Sequence, residues 1–151
     1  MTSDETTGGS GPGHRSVELT RLALGRYEIT NARGGRMTIG DGSTDDFTPV
    51  ELLLAALAGC SSVDVDHITS RRAEPESFEV VAEGEKVSTP EDGNHMSDLA
   101  VTFRLGFPEG EGGDAARAAF PRSVAQSRDR LCTVSRTVQI GVPVEMTAED
   151  A

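Results

Sequence analysis

The chain's 151 residues suffice for one domain with an apolar core and leave little for a second. Its 25 acidic against 14 basic side chains give a net charge of −11, and apart from the Arg71–Arg72 pair the basic residues do not cluster. Nucleic acid and anionic membrane are therefore excluded as natural partners. Two cysteines, outside any CxxC pair, make neither a disulfide scaffold nor a zinc-type cluster.

Residues 1–15, MTSDETTGGSGPGHR, are rich in Gly, Ser, Thr and Pro, which predicts a disordered tail before a single domain over 16–151. The tail has no apolar run of the kind a secretory signal needs. The longest apolar stretch in the chain is about ten residues, against roughly 20 for a bilayer span. A soluble cytoplasmic protein is expected.

From Val17 the pattern predicts short strands. Val17 alternates with Leu19 and Tyr27 with Ile29, while Gly25, Gly34 and Gly35 supply turns. The segment TNARGGRMTIG has glycines but lacks the strand–loop–helix context of a phosphate cradle. After the DGSTDDF loop a helix is announced by Thr48 as N-cap, Pro49 at the first helical position and Glu51 at the third. It is expected to run to about Arg72 and stop before Pro75. From Val50 to Cys60 this helix is apolar on every side, which predicts that it is surrounded, by a sheet on one side and a partner subunit on the other.

Two strands follow, with Phe78, Val80 and Ala82 on one face of the first. Leu99, Val101, Phe103, Leu105 and Phe107 share a face of the second. A second helical region is predicted over 114–131, broken at Pro121. A last strand is predicted with Val138, Ile140, Val142, Val144 and Met146 on one face, at an edge or bulge because of Pro143. The order of elements predicts an α+β fold, with antiparallel sheets and two main helices gathered on one face.

The motifs FTPVELLLAALAGC and LCTVSRTV, each with its cysteine, resemble those of the OsmC/Ohr family of organic hydroperoxide resistance and osmotically induced proteins. The similarity covers about residues 16–147 and is nearer to the OsmC-like branch. It implies an intertwined homodimer that reduces organic hydroperoxides with no metal or organic cofactor. It also implies that Cys60 attacks the peroxide and becomes a sulfenic acid, that Cys132 resolves it as a disulfide, and that a lipoyl-type dithiol is the reductant.

Only a thiolate attacks, and an ordinary thiol with a pKa near 8.5 is a few per cent ionised at neutral pH. A cation about 4 Å away offers roughly 4 kcal/mol at an effective dielectric near 20, before desolvation. The resemblance implies an arginine from the N-terminal strands. Arg36 is the first choice, being in the strand before the FTPVEL loop, with Arg33 and Arg26 as alternatives. In the family's peroxidase branches an active-site Glu directly follows the proline. Val50 stands there in this chain, and Glu51 comes one residue later. Nine residues separate Glu51 from Cys60, about half a turn around a regular helix, and Glu51 also completes a capping box with Thr48. The departure keeps open a second reading, a non-catalytic thiol redox switch or a small-molecule-binding module.

Cys60, Asp64 and His67 fall on one helix face at a spacing that metal ligands can use, and equally where a helix emerges into solvent. Ser61 and Ser62 could donate to a thiolate or simply begin the polar half of the helix. His14 and His95 read as inert, and Ser135 and Arg136 as caps leading into the last strand.

Overall fold

The computed structural model describes residues 13–151, so most of the expected tail, 1–12, lies outside the described residues. The chain divides at Leu53–Leu54 into two compact units.

The first unit is a three-stranded antiparallel sheet in the order β1 (Val17–Ala23), β2 (Arg26–Asn31) and β3 (Arg36–Gly40). Leu19 pairs with Ile29 and Ile29 with Met37, so the alternation read from the sequence becomes one apolar face. The β1–β2 turn needs Gly25 at φ 72°, where a side chain would be strained and would meet the Asp41 carboxylate. In the β2–β3 turn the Asn31 side chain accepts from the N–H groups of Arg33 and Gly35, at 3.0 and 2.9 Å.

Helix α1 (Pro49–Ser70) starts in the first unit and continues into the second. The capping box is formed. Glu51 accepts from the Thr48 N–H at 3.0 Å and the Thr48 hydroxyl at 2.8 Å, and its own N–H reaches Thr48 Oγ1 at 3.3 Å. Leu57, Ser61, Val65 and Thr69 form a single buried stripe one turn apart. Its two hydroxyls are satisfied by carbonyls four residues back, Ser61 to Leu57 at 2.6 Å and Thr69 to Val65 at 2.9 Å. The helix is thus not surrounded within one chain: Ala55, Ala56, Gly59 and Val63 are exposed. It is also long and apolar enough to cross a membrane by length and composition, which the ten-residue apolar run did not suggest. Its stripe is buried in the folded chain, as are Phe107, Ala116 and Cys132 of the second unit.

In the second unit β4 (Ser77–Thr89) and β5 (Gly93–Gly106) form a long antiparallel hairpin. Phe78 pairs with Leu105, Val80 with Phe103 and Ala82 with Val101, the face expected from the sequence. A bulge interrupts the ladder at Gly84, where a Cβ would meet Leu99 Cδ2 at 2.8 Å; Asp98 opposite adopts φ 52°.

Helix α2 (Glu111–Gln126) starts earlier than predicted and runs through Pro121 without breaking. Phe120 packs edge-on against Phe107, with ring centroids 6.2 Å apart. A single π-helical turn, Ser127–Leu131, then leads to Cys132 and to helix α3 (Thr133–Ile140).

The predicted last strand is not formed. Val138 and Ile140 belong to α3, and Val142, Val144 and Met146 follow in exposed irregular chain. Local capping outweighs the alternating pattern. Cys132 caps the start of α3, and Gly141, left-handed at φ 66°, closes its end by donating to the carbonyls of Thr137 and Val138. Ser135 and Arg136 therefore lie inside a helix, not at the entry to a strand.

Candidate active site

Two free thiols lie in the second unit. Cys60 lies in the middle of α1 and is half-buried, while Cys132 is fully buried at the junction of the π turn and α3. Cys60 is near enough to Cys132 to perturb its ionisation. Cys132 serves as the N-cap of α3, a place usually held by an oxygen: its Sγ accepts from the Ser135 N–H at 3.3 Å. Burial pushes the Cys132 thiol up to about 11, the Ser135 N–H opposes this, and Cys60 and the Asp64 carboxylate add to the rise. Cys132 is thus held as a neutral thiol.

Asp64, one turn beyond Cys60, accepts from the Ser127 hydroxyl at 2.8 Å. This joins α1 to the first residue of the π turn. Ser61 lines a pocket of about 420 Å³ with Leu57, Leu99, Val101, Phe103 and Ser135. The pocket is mostly apolar and sized for a small organic molecule.

The other predicted residues belong to the first unit. Arg36 pairs with Glu28 at 3.3 Å and Arg26 with Asp46 at 3.1 Å. Arg33 is exposed and makes no ion pair among the described residues. The Glu51 carboxylate is held below its usual range by the Thr48 hydroxyl and then by the Thr48 N–H, the signature of its cap role. Among the described residues no group of His, Cys, Asp and Glu could hold a metal ion. His67 is exposed, and Asp64 of the same helix face is engaged by Ser127.

Sequence reasoning missed Ser127 and the Ser135 N–H. The spacing of Asp64 from Cys60 was visible, but its partner is 63 residues away and no local pattern marks it.

A family model for OsmC-like protein matches residues 40–147, spanning both cysteine motifs. The chain belongs to the OsmC-like family. Among curated proteins, none matches the chain significantly. Solved structures share the OsmC-like fold. A hypothetical protein from Aquifex aeolicus VF5 is similar with a TM-score of 0.68 at 21% identity, covering 83% of this chain and 87% of that one. An OsmC-like protein from Mycoplasma pneumoniae has a TM-score of 0.64 at 14% identity, covering 83% and 86%. An organic hydroperoxide resistance protein OsmC from Legionella pneumophila has a TM-score of 0.57 at 17% identity, covering 82% and 89%. At these identities the likeness concerns the fold, and the OsmC-like chain's chemistry rests on its own residues.

Proposed function

We propose that this OsmC-like chain is a cysteine-dependent thiol peroxidase for organic hydroperoxides, acting as a homodimer in the cytoplasm. The observation that carries the reading is the pair of free thiols next to a mostly apolar pocket: Cys60 precedes the pocket-lining Ser61 in α1, and Cys132 accepts from the N–H of the pocket-lining Ser135. The Cys60 thiolate attacks the distal peroxide oxygen; the O–O bond breaks, the alkoxide takes a proton and leaves as an alcohol, and Cys60 becomes a sulfenic acid. The Cys132 sulfur then attacks the Cys60 sulfur, and the sulfenic oxygen leaves as water with the Cys132 proton. A dithiol of the lipoyl type reduces the disulfide by exchange and is itself oxidised to a cyclic disulfide. The pocket would take the alkyl part of the hydroperoxide. Arg36, or else Arg33 or Arg26, would supply the cation for the Cys60 thiolate.

A specific observation favours the second reading, a thiol switch without turnover. Val50 occupies the place of the family's acid, and Glu51 is tied to Thr48. A turnover assay with tert-butyl hydroperoxide and dihydrolipoamide separates the two. Many equivalents of peroxide consumed per chain support the peroxidase; a single equivalent, with the Cys60–Cys132 disulfide found by mass spectrometry, supports the switch.

A further inference from the structure

The π turn and the Asp64–Ser127 hydrogen bond have a geometric relation that the chemistry above does not require. Cys60 and Asp64 are separated by four residues of α-helix, one turn, so they stand one above the other on α1. Ser127 and Cys132 are separated by five residues, which on an α-helix would set them about 140° apart. The π turn removes that offset. The Cys132 N–H donates to the Ser127 carbonyl at 2.9 Å, closing a five-residue turn that stacks Ser127 and Cys132 on one side. The Ser127–Asp64 bond therefore sets Cys132 on the side of the π turn that faces α1, one turn from where Asp64 is held and at the level of Cys60. Ser127 is 1% exposed, so its hydroxyl has no ready alternative in water.

We infer that Asp64 is a positioning residue for the resolving thiol, acting through Ser127 to pin the π turn so that Cys132 faces Cys60. The inference rests on the Cys60–Cys132 pairing proposed above, and it assigns Asp64 a role as hydrogen-bond acceptor, with its charge incidental. Asn can accept the same bond, whereas Ala cannot, and removing the Ser127 hydroxyl breaks the bond while keeping the charge.

The test is the equilibrium between dithiol and disulfide in glutathione redox buffers, for the wild-type chain, Asp64→Asn, Asp64→Ala and Ser127→Ala. The expected result is that Asp64→Asn keeps the wild-type effective concentration of the thiol pair. Asp64→Ala and Ser127→Ala should lower it roughly tenfold, the weight of one hydrogen bond. Rescue by Asn distinguishes positioning from a general loss of stability, and thermal melts of the reduced variants check that all are folded. A Ser127→Ala variant that matches wild type, or an Asp64→Asn variant that falls with Asp64→Ala, overturns the inference. Because no peroxide is used, failure of the peroxidase reading shows separately, as a wild-type chain that forms the disulfide here but does not consume tert-butyl hydroperoxide.

Discussion

Cys132 is stored as a neutral thiol, and this sets a pH dependence. With its pKa raised to about 11, chiefly by burial, the thiolate fraction should grow about tenfold per pH unit across the accessible alkaline range. The disulfide-forming step, followed after Cys60 has been oxidised, should therefore accelerate from pH 7 to 9 without a plateau; stopped-flow traces at fixed peroxide would check it. Stability should move the opposite way. The unfolded thiol ionises near 8.5 while the folded one keeps its proton, so above that value the native state binds more protons than the unfolded one. The stability advantage of wild type over Cys132→Ser should hold below about pH 8.5 and shrink as pH rises toward 11, measured by urea unfolding. For the first oxidation, the expected order of damage is Cys60→Ser worst, then Arg36→Ala at roughly tenfold, as for a thiolate deprived of its cation. Glu51→Gln should be nearly silent, because Gln fills the same place in the capping box. Severe loss in Glu51→Gln would restore the acid to the mechanism, and an unaffected Arg36→Ala would move the role to Arg26 or Arg33.

The elements themselves make separable contributions. At the start of α1 the reciprocal Thr48–Glu51 bonds satisfy N–H groups that the helix would otherwise leave free. Thr48→Ala should cost about 1 kcal/mol, which for a chain of this size lowers the melting temperature by roughly 2–4 °C. The π turn is a more delicate feature. Its residues Arg128, Asp129 and Arg130 are exposed, so deleting Arg130 removes little packing. It would, however, convert a five-residue turn to four and rotate Cys132 by about 100°. The expected outcome is an intact circular dichroism spectrum with loss of the peroxide-induced Cys60–Cys132 disulfide, scored by mass spectrometry.

The assembled protein is expected to be a homodimer. In a single chain, α1 exposes Ala55, Ala56, Gly59 and Val63, β1 exposes Val17 and Leu19, and Val142, Val144 and Met146 lie bare after α3. A second copy is the economical cover for apolar surface distributed over three separate segments. Light scattering at micromolar concentration should give twice the chain mass, and a monodisperse monomer would rule the dimer out.

Several features were determined locally and could be read from the chain alone. The N-terminus of α1 follows from Thr48, Pro49 and Glu51, whose side chains act within one turn. The facing of β4 and β5 follows from the period-two placement of Phe78, Val80, Val101 and Phe103, because a hairpin with one covered face permits one register. The two cysteine motifs were enough to place the chain in the OsmC-like family. Other features depended on partners far away in sequence. The alternation from Val138 to Met146 suggested a strand, but the cap formed by Cys132 and the left-handed Gly141 turned its first part into helix. Period alone cannot weigh those bonds. The five-residue turn before Cys132 has no sequence signature, since its α- and π-helical forms use the same residues. The Asp64–Ser127 bond exists because folding brings together side chains 63 residues apart, and only the packed structure could show which hydroxyl that carboxylate accepts.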